Sequence, residues 1–148
     1  MVDLPDQLKI AEKNIQEHGI EDRVASLSLD MLNQEVDLPP NQDVYWMSQF
    51  LSCFGEDEII NILRNAAKAM GPESRLYILE TCWDNQEHSA AAYSLINTSL
   101  YFTCMASGNS KMYSSQRLLE YISSAGLTCT NLYDNLGICH TLFECKKI

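Results

Sequence analysis

The sequence is poor in several of the features that usually announce a function. Its six glycines are isolated from one another, so it contains neither a G-x-G-x-x-G turn nor a phosphate-cradling P-loop. There is no H-E-x-x-H, no C-x-x-C and no Cys/His spacing suited to zinc, and no metal is expected. Basic charge is scarce as well: ten Lys and Arg stand against twenty Asp and Glu, a net charge of -10. That balance lacks the basic patch that nucleic acid or an anionic membrane surface requires, so neither is an expected partner. No apolar run approaches the length of a membrane span. The acidic, amphipathic opening residues do not read as a secretory signal. Internal repeats and low-complexity stretches are also missing.

What is present fits one globular domain. At 148 residues, with 46% apolar and 20% charged residues, the chain can build a substantial core. Its cysteines (Cys53, Cys82, Cys104, Cys129, Cys139 and Cys145) are expected to be free thiols, mostly buried, in a reducing cytoplasm. Pro5 suits the first turn of a helix that Leu8, Ala11 and Ile15 continue and Gly19 stops. "RVASLSL" from Arg23 alternates like a strand, and "DVYWMS" from Asp43 reads as a short buried one. Ile59, Leu63, Ala66, Ala67 and Met70 mark one helical face before Gly71-Pro72. "RLYILET" is a further strand, and 87–104 a weakly amphipathic helix. Ser114 or Ser115 can cap a helix ending at Ala125-Gly126. The strands "LTCTNLY" and "CHTLFECK", joined by "DNLG", close the chain. The order α-β-β-α-β-α-α-β-β predicts an open α/β sheet with a reversed edge.

Chemistry concentrates where these strands end. Asp3 follows a strand end and could accept both hydroxyls of a ribose, or it could merely cap the helix at Pro5. Asp30 could accept from an adenine amino group with Met31 against the ring, or the two could be a loop acid and a core methionine. Glu80 closes "LYILE" as a site carboxylate or a cap for the next turn. Trp83, Tyr93, Tyr101, Phe102 and Met105 could line an aromatic pocket, although such residues at helical spacing are more often core. His18 reads as a helix-end surface residue and His140 as structural.

"VDLPDQL…AEKNI" followed by "DRVASLSLDML" resembles the ribose- and adenine-binding segments of class I S-adenosylmethionine-dependent methyltransferases. More narrowly, the chain is similar to the dimeric small-molecule O-methyltransferases. "DVYWMSQFLSCFGEDEIINILRNAAKAM", "SRLYILET", "YFTCMASGNSKMYSSQRLLEYISSAGL" and "GICHTLFECKK" follow in that family's order. The resemblance implies a Rossmann-like α/β sheet and S-adenosyl-L-methionine as cofactor. It implies methyl transfer to a small, aromatic, hydroxylated acceptor. Asp3 would hold the ribose, with Leu4 against the adenine. Asp30 and Met31 would bind and flank the adenine, and Ser48 would lie near the methionine half. Glu80 matches an acid that orients the family's base. The segment 83–109, including Trp83, Tyr93, Asn97, Tyr101, Met105 and Asn109, would face the acceptor.

Two departures qualify that expectation. The family's His-Asp-Trp, whose His removes the acceptor's hydroxyl proton, reads Ser52-Cys53-Phe54 here, and a second acid falls at about Met112. Ser52 and Cys53 become the candidates for that position, although an unactivated serine is a poor base. C-methylation, or a binding module or fragment without turnover, stays open beside O-methylation. The family also places a dimerisation domain, a first strand and a glycine-rich turn before "DLP". Residues 1–148 therefore read as the carboxyl-terminal portion of a catalytic domain, in a homo-oligomer. The strand near Arg23 is then expected to lack its natural neighbour.

Overall fold

A computed structural model describes residues 1–106 and 108–148. The chain divides into two compact units, Met1–Val36 and Asp37–Ile148.

In the first unit, β1 (Val2–Asp3) leads through Leu4 into α1 (Pro5–Glu17). Pro5 supplies a preset φ at the first turn, where its missing N–H costs nothing. Leu8 is the buried residue of α1. The expected strand from Arg23 is much shorter than its alternation suggests. Glu21–Arg23 forms a 3-10 turn, and only β2 (Leu27–Ser28) is laddered. The expectation that this strand lacks a neighbour is also corrected. β2 pairs in parallel with β1, Val2 opposite Leu27 and Asp3 opposite Ser28. The terminal ammonium donates to Ala25 O at 2.7 Å, Leu27 N to Met1 O at 2.9 Å and Leu29 N to Asp3 O at 3.1 Å. A strand is only as long as its partner allows, and β1 offers two residues.

The second unit is built on a four-stranded sheet. Its strands are β3 (Val44–Ser48), β4 (Arg75–Glu80), β5 (Leu127–Leu136) and β6 (His140–Lys147), in the order β3-β4-β6-β5. β3 and β4 run parallel, while β6 runs antiparallel to both β4 and β5. The reversed strand is thus the last in the chain, as expected, but it lies one in from the rim, which β5 occupies. Period-two burial separates the faces: Leu76, Ile78 and Glu80 of β4 and Thr141, Phe143 and Cys145 of β6 are buried.

Helices α2 (Glu56–Ala69) and α4 (Ser115–Ser124) pack on each other, and α4 packs on β5. Ile59, Ile62, Leu63 and Ala66 of α2 and Leu118 and Ile122 of α4 are buried. Their caps follow from sequence: Glu58 Oε2 accepts from Gly55 N at 2.7 Å, and Ser114 Oγ accepts from Arg117 N at 3.2 Å. Helix α3 (Ser89–Met105) differs, for it contains no buried residue. Among the described residues no helix is long and apolar enough to cross a membrane.

Candidate functional site

The carboxyl ends of β1 and β2 bring Asp3 and Asp30 to neighbouring positions. Asp3 closes β1, and the amide just before Asp30, Leu29 N, donates to Asp3's carbonyl. Asp3 is not the cap of α1: Leu4 occupies that place, without a side-chain cap bond. The Asp3 carboxylate instead accepts from Leu4 N at 2.8 Å, and Asp30 Oδ1 accepts from Leu32 N at 3.0 Å. Both acids are exposed, and each carboxylate has more acceptor positions than one amide fills. Leu4 is exposed beside Asp3, and Met31 is half-buried beside Asp30. A groove of about 290 Å³ on this unit, lined by Glu12, Ile15, Gln16, Glu21, Val24 and Ser26, contains none of these residues.

In the second unit the corresponding sheet edge carries Ser48, Gln49, Glu80 and the turn after β3. Ser48 is exposed at the end of β3. Gln49 takes a left-handed φ of 47°, donates its amide to Leu79 O at 2.7 Å and its side-chain amide to His140 Nε2 at 2.9 Å. The next residues bend into a 3-10 turn, Leu51–Cys53, wrapped around a buried acid. Glu80 Oε1 accepts from Phe50 N at 2.8 Å and from Leu51 N at 2.7 Å, and the carboxylate is also bonded by the Ser52 hydroxyl and amide. Burial pushes the Glu80 carboxyl above the usual carboxylate range, and these donors offset the shift only in part.

The turn is held from its other side too. Lys111 N donates to Ser52 O at 3.0 Å, Ser110 Oγ to Cys53 O at 3.2 Å and the Tyr113 hydroxyl to Phe54 O at 2.7 Å. Met112, where an acid was expected, accepts at Sδ from the Thr81 hydroxyl at 3.1 Å. The Cys53 thiol is raised by partial burial and then by Glu80, the opposite of what an activated thiolate requires. Behind Glu80, burial, Asp84 and Glu80 itself push buried Cys82 up to about 12.

The acceptor segment is placed differently from the core reading. Trp83 is exposed in the turn after β4, and Tyr93, Asn97, Tyr101 and Met105 recur every fourth residue along one exposed face of α3. Tyr93 is 70% and Met105 74% exposed. Asn109 is exposed in the following loop, and Ser107, inside the same segment, lies outside the described residues. The core expectation fails because α3 is apolar nearly all round, so its periodicity names no inner face. Sequence reasoning missed Gln49 altogether and treated His140 as merely structural. Their pairing spans 91 positions, and nothing local signals it.

Carboxylates gathered at strand carboxyl ends mark the ligand edge of nucleotide-binding α/β proteins. The chain belongs to the O-methyltransferase domain family, whose model matches residues 1–128. It is 26% identical over 93 residues to the mitomycin biosynthesis 6-O-methyltransferase of Streptomyces lavendulae, covering 63% of this chain and 26% of that protein. It is 32% identical over 80 residues to a phenazine O-methyltransferase of Lysobacter antibioticus, covering 54% and 23%. Among solved structures it superimposes with a TM-score of 0.79, at 19% identity, on an O-methyltransferase from neocarzinostatin biosynthesis. That structure is a complex with S-adenosylmethionine and 2-hydroxy-5-methyl naphthoic acid, and the match covers 99% of this chain and 40% of that one. The aligned region spans about a quarter of the curated relatives.

Proposed function

We propose that this chain is the carboxyl-terminal part of an S-adenosylmethionine-dependent methyltransferase that acts on a hydroxyl of a small aromatic acceptor. The observation that carries the reading is the juxtaposition of Asp3, at the end of β1, and Asp30, two residues past the end of its parallel partner β2. Two exposed carboxylates, with Leu4 and Met31 beside them, fit the donor groups and the apolar ring of an adenosine. In this reading Asp3 accepts from the ribose hydroxyls, Asp30 accepts from the adenine amino group, and Leu4 and Met31 cover the ring. Ser48 is assigned to the methionine half on the family resemblance alone. Bound S-adenosylmethionine supplies a methyl group made electrophilic by its sulfonium.

The chain's own contribution to the reaction is alignment and proton handling. The Ser52 hydroxyl takes the acceptor's hydroxyl proton as its own proton passes to Glu80. A carboxyl held above its usual range suits that task better than an ordinary one. Cys53, with its thiol raised, stays protonated beside this pair. Trp83, Tyr93, Asn97, Tyr101, Met105 and Asn109 are assigned to the aromatic acceptor. Support comes from the aromatic naphthoic acid held by the neocarzinostatin relative. We further assign the protein to the cytoplasm, as a homo-oligomer. Its free thiols suit a reducing compartment, and the bare α3 suits a covered one.

Calorimetry with S-adenosylhomocysteine tests the cofactor assignment. Asp3→Asn and Asp30→Asn are each expected to weaken binding about tenfold or more. Unchanged affinity in both variants would remove the basis of the assignment. A methyl-transfer assay over a panel of phenols tests the chemistry. There Glu80→Gln should lower kcat by about a hundredfold while leaving cofactor affinity unaltered.

A further inference from the structure

Of the six thiols, two face each other. Cys129 of β5 and Cys145 of β6 are register partners in the antiparallel ladder, so their side chains leave the same face of the sheet, and the Cys129 thiol donates to Asn131 O at 3.2 Å. Among the described residues no other two cysteines are register partners. Directly opposed residues in an antiparallel pair have Cα atoms about 4.5–5.5 Å apart, inside the range of about 4.4–6.8 Å that a disulfide spans. The ladder is also deformable at this point. A register shift follows Cys129, leaving Thr130 without an opposite number before Asn131 pairs with Glu144. The movement needed to bring two facing thiols into a bond can be absorbed there.

We propose that Cys129 and Cys145 are a reversible dithiol site that a peroxide converts to a cross-strand disulfide. Access sets the order of events. Cys145 is fully buried, while Cys129 is half-buried, so the oxidant meets Cys129. The Cys129 thiolate attacks one peroxide oxygen and the O–O bond breaks. Cys129 becomes a sulfenic acid, and the departing hydroxide takes up the Cys129 proton as water. The Cys145 sulfur then attacks the Cys129 sulfur. The S–S bond forms, the S–O bond breaks, and the hydroxyl leaves with the Cys145 proton as a second water. Two thiols have lost two electrons and two protons, and one hydrogen peroxide has become two waters. Burial raises both thiols, so the reaction is slow at neutral pH and quickens as pH rises.

The bond would close residues 130–144 into a loop and staple the rim strand to the interior of the sheet. Closing a loop of this size restricts the unfolded chain, and the thermal midpoint should rise by several degrees.

The test uses the full chain, titrated with hydrogen peroxide, quenched with N-ethylmaleimide and mapped by mass spectrometry without reduction. The expected product is a single linked peptide pair joining Cys129 to Cys145. Two of the six thiols should be lost, dithiothreitol should restore them, and the thermal midpoint should be higher before reduction than after. Cys129→Ser, at the half-buried position, should fold, lose the linked pair and lose the shift in midpoint. The proposal fails if Cys53 and Cys104 are fully modified while no 129–145 pair forms. It fails equally if Cys129→Ser loses the same number of thiols within one chain, or if the cross-link forms with no change in midpoint.

Discussion

Glu80 shows at the scale of one residue how stability and chemistry meet. Its carboxyl is buried, yet two backbone amides of the turn after β3 depend on it. Because its folded pKa lies above the unfolded value, the folded chain holds this proton more tightly. Stability is therefore lost as pH rises from the unfolded value, about 4.3, through the raised folded one. Below that window the loss is absent, and above it the loss is complete. Glu80→Gln keeps an oxygen for Phe50 N and Leu51 N and removes the charge, so urea denaturation should show this pH dependence flattened. Glu80→Ala strands both amides and opens a void, and should cost about 2–4 kcal/mol by the same measurement. The strand pattern of "LYILE" was enough to place an acid at a sheet edge. Its partners lie 29 and 30 positions away, and only the fold brings them in.

Elements were legible in proportion to how one-sided they are. Helix α2 combines an apolar face with a glycine-entered start, and its observed end, Ala69, falls one residue short of Met70, the last residue of the face read from the sequence. Helix α4 was equally clear, and Ser114→Ala should cost about 1 kcal/mol in chemical denaturation, since the Ser114 hydroxyl caps Arg117 N while, among the first-turn amides, Asp84 holds only that of Ser115. Gly126, at φ 80° after α4, should cost about 1 kcal/mol when replaced by alanine. Two elements were misread for opposite reasons. "RVASLSL" alternates over seven residues, but a ladder forms only where another strand lies alongside. Helix α3 was found, yet its near-uniform apolar surface gave no sign of which side faces in. Tyr93→Lys and Leu100→Lys, at 70% and 62% exposed positions, should each change the unfolding free energy measured in urea by no more than about 0.5 kcal/mol.

Across the whole chain, charge and exposed apolar surface pull in different directions. A net charge of -10 favours separation of copies at low salt, whereas Tyr93, Ile96, Leu100 and Met105 invite association. Light scattering should therefore show association that grows with protein concentration and with salt, as screening weakens the repulsion. The Tyr93→Lys/Leu100→Lys pair should return the chain towards monomer; association unchanged by that pair would exclude α3 as its seat. The fold class was readable because element order restricts topology. The family was readable because many weak segments recur in one order. Ser52 and Cys53 were legible as candidates where the expected histidine is replaced, but the sequence did not show that Ser52 bonds the buried Glu80 carboxylate, because the two meet only in three dimensions.

The left-handed turn at Gln49 carries an evolutionary corollary. A glycine there would relax the backbone but surrender the grip on His140, while a bulkier residue would keep the strain and lose the partner. Among descendants of this sequence, positions 49 and 140 should change together or not at all, although nearly two-thirds of the chain separates them.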